Sequence, residues 1–530
     1  MDEGIFMLNK FLNDKGVKFL LKNKKYLLLF KLILKFLQLK LKTIDNPYKY
    51  ILNNDISIQN IEIITNLKLR DNKINNYNIQ LTGFNSEVDK NIFYLNFEDK
   101  ESLFSVYRFR WLLIGIEKYQ NKDFAYKAID VLNYYIDNFE NIGKRVNETY
   151  SICERLLNII YFISILKENN LIDKVNIDKL NIIFSFQLED ILSNIEYRGK
   201  FTNNHILNNT RALYILGAVL KIKELKDIGY LLLSENYDNH IKNGVLEEGS
   251  FHYQILLTRT MLEIYHISKI CNDEKMLNFI TMRVQQMLNI TNNLHSNYSS
   301  KYPLVGDVSP DFPVEFFEGY PFSNVEYNSK WNNIFDIDIK NLKEFKNIDT
   351  FWKKFEFDKI EVWIIKRDKL MAHSHNDNGS FIIFYEGKEI ISDIGRFTYR
   401  RNNKFSYMLE QKFHNGINED IDISRESIFY NIFNFSSEID IKKLENSLEV
   451  NIKDCFEKEY NYKLIFHNNF ISIVSHIEIS INTNNFKYLS DNSVKIGNVE
   501  VKLDNLTIDK IVVSYNYGEL KKAFYLKGDK

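Results

Sequence analysis

Residues 369–401 read KLMAHSHNDNGSFIIFYEGKEIISDIGRFTYRR and gather His373, His375, Asn376 and Asp377 within a few positions. Asp393 follows in the same stretch, and His414 arrives in QKFHNGINED. The chain has only 10 histidines in 530 residues, so this concentration asks for a chemical reason. If the segment opens a strand, side chains at i, i+2 and i+4 share one face. His373, His375 and Asp377 would then project together. One imidazole can ligate a metal while its neighbour stays free to move protons, and a His/Asp/His set suits Zn²⁺. A short His-x-His pair also arises on surfaces with no function, so the motif alone decides little.

Three further groups of polar residues sit in apolar surroundings. GKFTNNHILNNTRALYILG places Asn203, Asn204 and His205 at the start of a helical run; Asn is a favoured helix cap, which accounts for an Asn but not for the adjoining His. LEEGSFHYQILL brings Glu247, Glu248, His252 and Tyr253 to the start of another, where a Tyr is ordinarily a half-buried packing residue. NETYSICERLLNII sets Arg155 and Asn158 three apart, on one helix face. Each has a plain structural explanation when taken singly.

The elements that must position these residues fall into two kinds. In KLNIIFSFQLEDILSNIEY the residues Leu180, Phe184, Leu188, Ile191 and Ile195 recur three or four apart, which marks one face of a helix. Similar runs occur at 103–119, 124–139, 150–166, 204–222, 253–270 and 276–294. Consecutive amphipathic helices must bury their apolar faces on one another, as a bundle, a solenoid or a closed toroid. Beyond about residue 355 the segments are short, β-branched and aromatic, and YEGKEII reads as a hairpin around Gly387. An antiparallel β-sandwich is expected there. The expected organisation is a basic N-terminal region (1–95), a helical domain (96–300), a proline-containing linker (301–355) and the sandwich (356–530).

Composition narrows the function classes. A formal net charge of −1 gives no global footprint for nucleic acid. Cys153, Cys271 and Cys455 form no CxxC pair, which predicts reduced structural thiols. Residues 1–45 carry ten lysines against four acids. Lys31 and Lys35 interrupt the apolar runs before any reaches the ~20 residues of a membrane span. The segment reads as a docking helix or as a basic amphipathic helix in peripheral contact with a membrane. No small-residue cleavage site follows it, so a cytoplasmic or membrane-peripheral place is the default expectation.

Taken together and in order, these segments resemble the heparinase II/III-like polysaccharide lyases, including relatives in bacterial surface-polysaccharide gene clusters. The likeness runs from about residue 95 through ETYSICERLLNII, NNHILNNTRALYILG, LEEGSFHYQ, MAHSHNDNGSFIIFYEGKEIISDIGRFTY and QKFHNGI. It implies an α+β multidomain chain, with an incomplete (α/α) toroid followed by an antiparallel β-sandwich. It also implies β-elimination on an acidic, uronate-containing polysaccharide, with no organic cofactor. Several positions depart from the family pattern: Ala372 precedes the first His, Asn376-Asp377 follow the second, Arg396 ends the DIGR turn, and Glu247-Glu248-Gly249 replaces DGG.

Elimination must neutralise a carboxylate, remove the carbon-bound proton beside it and protonate the departing oxygen. Asn204 is the expected donor to the substrate carboxyl. His205 or His373 is the expected base, Tyr253 the acid or both, with Tyr399 a weaker candidate in the same cleft. The resemblance implies substrate contacts from Arg155, Asn158, Asn203, Glu248 and His252. It assigns a mainly structural zinc to His375, Asp393 and His414. Two alternatives stand beside this reading: a non-catalytic carbohydrate-binding or assembly protein on the same fold, and a glycoside hydrolase using Glu247 or Glu248 with Asp307 or Asp311.

Overall fold

The computed structural model describes residues 11–528 apart from 12–13, 23, 41–46, 48–49, 51–55, 73, 75, 200–201, 319–329, 332–333, 336–347, 370, 400–403, 420–435, 455–456, 468–469 and 518. Much of the basic N-terminal segment and Cys455 therefore lie outside the described residues. Within that segment, helices α1 (Lys15–Lys22) and α2 (Tyr26–Lys40) form a pair. Leu29 and Leu32 of α2 are buried, while Leu27, Phe30 and Leu34 face outward beside exposed Lys31 and Lys35. A short hairpin of β1 (Asn78–Leu81) and β2 (Phe84–Glu87) leads into the helical domain, which itself contains a second, β3 (Ile241–Lys242) with β4 (Val245–Leu246).

That domain runs through α3 (Lys100–Tyr107), α4 (Arg110–Tyr119), α5 (Lys122–Asp137), α6 (Thr149–Glu168), α7 (Ile177–Ser193), α8 (His205–Val219), α9 (Lys223–His240), α10 (Phe251–Ile270) and α11 (Glu274–Leu294). They alternate in role. In α6, α8 and α10 almost every residue is buried, as expected of helices apolar on all sides. In α5, α7, α9 and α11 only one stripe is buried. The first set lines the inside of the incomplete toroid and the second covers it. Helix α6 is long and apolar enough to cross a membrane, and it is buried within the protein. Helix α9 was not among the expected runs: its apolar Leu225, Ile228, Leu232 and Leu233 are masked in sequence by the polar residues between them. The expected run 103–119 is broken in two at Arg108–Phe109, where Phe109 has φ +56°.

Among its described residues the C-terminal part holds three sheets. One contains β5 (Trp352–Phe357), β6 (Ile360–Ile365), β7 (Phe381–Tyr385) and β8 (Lys388–Ile391), in chain order. The β7–β8 hairpin turns at Glu386 and Gly387, at φ +48° and +73°, the left-handed pair a two-residue turn needs. The largest sheet joins β10 (Glu438–Leu444), β11 (Ser447–Lys453), β12 (Glu459–Phe466), β13 (Phe470–Ser475), β17 (Val499–Lys502), β16 (Ser493–Ile496) and β15 (Lys487–Ser490), in that spatial order. The third joins β18 (Thr507–Val513), β19 (Lys521–Gly528), β14 (Ile479–Thr483) and β9 (Gly416–Ile417). The ladders are antiparallel except β13 beside β17, which run parallel.

Strand alternation joins the two domains. Ile360, Val362 and Ile364 of β6 point into the sandwich core, as do Phe381 and Ile383 of β7. Their neighbours Trp363, Ile365, Ile382 and Phe384 belong to the helical core. Both faces of this sheet are thus buried, each large side chain contributing about 2–3 kcal/mol. The segment expected to be a linker also packs inward. The Val305 carbonyl accepts from the Phe251 N–H at 3.1 Å, and the Asp307 N–H donates to the His373 carbonyl at 2.8 Å. Residues 302–312 are buried and form the seam between toroid and sandwich.

Candidate active site

A cleft of about 260 Å³ opens at this seam. The toroid lines it with Glu101, Arg108, Glu148, Tyr150, Asn204, His205, Asn208, Tyr253 and Arg259; the seam adds Asp307 and Asp311, and the sandwich His373 and Tyr399. All five expected catalytic residues, Asn204, His205, Tyr253, His373 and Tyr399, therefore meet on one cleft although they come from four stretches of chain.

The NNH triplet divides its labour. Asn203, not Asn204, satisfies the helix start: its Oδ1 accepts from the His205 N–H at 3.2 Å. Asn204 has helical backbone angles and no capping bond, and its Nδ2 donates to Glu248 Oε2 at 2.7 Å. An amide nitrogen carries two hydrogens, so one remains to be directed at a substrate. His205 Nδ1 lies 2.8 Å from Glu196 Oε1. Glu196 is itself held by Asn209, which donates from Nδ2 at 3.1 Å and accepts from the Glu196 N–H at 2.8 Å. Burial would lower the His205 pKa, but the hydrogen bond and charge of Glu196 override it and raise it. Nε2 is left as the ring atom for proton transfer.

Tyr253 enters at the first turn of α10, whose cap is Ser250 Oγ accepting from the Tyr253 N–H at 3.2 Å. The Tyr253 and Tyr399 hydroxyls are 2.7 Å apart. Burial pushes both phenols well above their ordinary value, which suits donation rather than standing ionisation. The Tyr253 ring stacks on His373, with centroids 3.7 Å apart and planes at 10°. His373 has carboxylates on both sides: Nδ1 is 3.0 Å from Asp307 Oδ2 and Nε2 is 3.4 Å from Glu248 Oε2.

The expectation that His373, His375 and Asp377 share a strand face does not hold. The described residues among 366–380 form an irregular crossing between β6 and β7. His373 turns into the cleft, His375 turns into the interior, and Asp377 pairs with Arg367 behind it. Asp307 connects the two histidines: its Oδ1 is 2.9 Å from His375 Nε2 and accepts from Arg396 Nη1 at 2.7 Å. Burial acts to raise the Asp307 pKa, but Arg396 and the two histidines hold it well below the usual carboxylate range.

Behind this bridge lie His375, Asp393 and His414, all buried, offering one ligand atom each within 4.8 Å of one another. His414 Nδ1 is 2.7 Å from Asp393 Oδ2. His375 Nδ1 and His414 Nε2 are buried and have no hydrogen-bond partner. Two orphaned imidazole nitrogens beside a carboxylate are the donor set that zinc takes in proteins, so these residues fit such an ion.

The expected substrate contacts fare differently. Arg155 and Asn158 lie outside the cleft lining, fully buried, and spend donors on main-chain carbonyls. Arg155 reaches Tyr107 O at 2.8 Å and Val146 O at 2.7 Å, and Asn158 reaches Arg108 O at 2.8 Å. They clamp the break that turns Arg108 into the cleft. His252 is also buried away from it, 3.1 Å from the Tyr302 hydroxyl, with its pKa lowered to about 4 by burial. Asn203 is exposed at the helix start, and Glu248 sits beneath Asn204 and His373 instead of lining the wall.

Sequence reasoning missed a second group. Arg108 donates to Asp311 at 2.8 Å, Glu101 at 3.0 Å and Glu148 at 3.1 Å, and Tyr150 donates to Asp311 at 2.6 Å. Two arginines inside the apolar run 106–116 were the available signal, because a buried charge demands partners.

Residues 365–420 match the family described as Heparinase II/III-like, C-terminal. Heparinase III has the same fold: TM-score 0.54 and 12% identity, over 90% of this chain and 85% of that one. The heparan sulfate lyase HepC from Pedobacter heparinus is similar at TM-score 0.47 and 14% identity, over 85% and 78%. The Streptomyces coelicolor A3 chondroitin AC lyase is similar at 0.41 and 8%, over 79% and 71%. No curated protein matches the chain at a significant level.

Proposed function

We propose that this heparinase II/III-like chain is a lyase that cleaves a uronate-containing polysaccharide by β-elimination. The observation that carries the reading is the convergence of Asn204, His205, Tyr253 and His373 on one cleft between toroid and sandwich. The second hydrogen of Asn204 Nδ2 meets the uronate carboxyl and favours the charge that develops there when the neighbouring carbon loses its proton. Glu248 fixes the amide so that the donor is already aimed. His205 Nε2 takes the proton, and Glu196 supports the imidazolium that results. His373 is the poorer base, since both of its nitrogens face carboxylates. Tyr253, with its hydroxyl against Tyr399, gives a proton to the departing glycosidic oxygen. Electrons from the broken C–H bond form the carbon–carbon double bond as the C–O bond breaks.

A zinc ion on His375, Asp393 and His414 is part of the same proposal; when bound it supplies cross-linking, pinning the crossing that carries His373. The hydrolase alternative loses its carboxylate pair. Arg108, Arg110 and Tyr150 keep Asp311 at a pKa of about 2 against the effect of burial, and Asp307 is held low as well. Neither can serve as the protonated acid that glycoside hydrolysis needs, and the glutamates of the pair lie off the cleft wall, Glu247 tied to Lys242 and Lys369 and Glu248 held beneath Asn204 and His373.

The deciding experiment incubates the protein with a panel of acidic polysaccharides and follows the ultraviolet band of an unsaturated uronate. A rise in absorbance is expected. Chain shortening without that band would mean hydrolysis, and neither change with any polymer would leave the binding-protein alternative.

A further inference from the structure

The charge of the cleft bears on which uronate polymer enters it. Four carboxylates, Glu101, Glu148, Asp307 and Asp311, line it against the two guanidiniums of Arg108 and Arg259. Arg108 is hydrogen-bonded to its acids, whereas Arg259 makes only loose ion pairs and buries Nε and Nη1 without a hydrogen-bond partner. Arg108 faces Glu101, Glu148 and Asp311 within 3.1 Å. Arg259 lies below, near Glu154 at 3.6 Å and Glu263 at 3.5 Å, and Arg211 shares those two acids. Arg396, which does not line the cleft, is bound to Asp307. The acids nearest solvent are Glu148 and Glu101, whose side chains are 34% and 19% exposed.

We propose, building on the elimination reading, that the substrate is an unsulfated uronate polymer, and that Glu101 and Glu148 select against sulfate esters. A sulfate is a permanent anion that proteins hold with arginine or lysine forks. Among the described lining residues Arg108 is committed to carboxylates and Arg259 is buried and balanced in charge by Glu154 and Glu263, and the rim adds negative charge in a partly dehydrated space where like charges repel strongly. Neutral sugar hydroxyls meet the opposite situation, because an ionised carboxylate accepts hydrogen bonds from them. The uronate carboxyl that elimination requires goes to Asn204, a neutral donor fixed by Glu248.

The test compares polymers that share a backbone and differ in sulfation: heparosan against heparan sulfate, and chondroitin against chondroitin sulfate. Initial rates come from the unsaturated-uronate band, and affinities from electrophoretic retardation in gels containing each polymer. The unsulfated member of the pair that is cleaved should have a kcat/KM at least tenfold higher and should bind more tightly. Glu148→Gln, at the partly exposed rim, should narrow that ratio several-fold. Equal or greater activity or affinity toward the sulfated member would overturn the proposal, and so would a ratio that Glu148→Gln leaves unmoved. If no polymer yields the absorbing product, the lyase reading fails by itself, and the order of affinities still decides the question of sulfate.

Discussion

His373 and His375 are two residues apart, and both are bound to Asp307, yet they serve two different regions. On the cleft side, Tyr253 and His205 each have one edge held by protein and another turned toward open volume, while His373 lines the cleft with carboxylates at both nitrogens. On the buried side, His375 and His414 have nitrogens that face neither protein partner nor solvent. Groups that exchange protons with a substrate need access and a tuned pKa. Groups that hold an ion need mutual proximity and exclusion of water. A single carboxylate separates the two environments, so whatever fixes Asp307 sets the geometry of both.

The largest effects should appear on the cleft side. Tyr253→Phe removes one hydroxyl and keeps the stacked ring, so kcat should fall about 10²-fold or more while polymer affinity stays within about twofold. Asn204→Asp tests the carboxyl donor. Its side chain caps nothing, so the substitution should not cost helix stability through a lost cap. It would, however, set a carboxylate against Glu248 and the substrate, and a folded protein with kcat reduced about 10²–10³-fold is expected. Steady-state kinetics with a thermal melt on the same samples separate the two effects. Normal turnover in either variant would move the proton-transfer site away from this wall.

A change on the buried side should act on stability first. His414→Ala leaves Asp393 buried without its partner, which costs about 3–5 kcal/mol. The proposed zinc adds a second signature. Elemental analysis of untagged protein should find about one zinc per chain, and a chelator should lower the Tm of the native protein but not that of His414→Ala. Equal chelator sensitivity in both would place any bound ion elsewhere. KM for the polymer should change less than Tm, because none of the three residues lines the cleft.

The two regions also differed in how readable they were. The 373–377 cluster stood out because histidine is rare in this chain, while the set His375, Asp393 and His414 came from the family resemblance. The helix-to-strand change was legible in apolar periodicity, and the Gly387 hairpin in its turn residues. What failed was local geometry within irregular backbone. The strand-face argument assumed regular alternation through 373–377, but that segment is a crossing. Arg108 was hidden because VYRFRWLLIG reads as an unbroken helix, and only the left-handed Phe109 turns the arginine inward. Arg155 and Asn158 were read as facing a substrate when they face the carbonyls that this break exposes. Asp307 and Asp311 sit among prolines, which resembled a linker, although Gly306 at φ +71° brings its Cα against main-chain carbonyls of Gly249 and His373, where a side chain would collide.

The smallest predicted effect discriminates most finely between the two histidine environments, because it moves a pH profile without removing a reacting group. Glu196 touches His205 only from behind, through Nδ1. As a base His205 must start unprotonated, so the acid limb of kcat/KM should follow its pKa, which Glu196 raises above the ordinary value of 6.5. Glu196→Gln keeps a hydrogen-bond acceptor but deletes the charge. Burial, the opposing influence, then prevails, and the acid limb should shift to lower pH. Stability moves in a linked direction. The native state binds the His205 proton more tightly than the unfolded chain, so its contribution is fully present below the unfolded pKa and is lost as pH rises through the raised folded value. In Glu196→Gln that acid-side contribution should disappear, and melts at pH 5 should show a larger loss than melts at pH 8. An acid limb that stays in place while Tm falls would assign Glu196 to packing alone, and would return the role of base to His373 on the Asp307 side of the cleft.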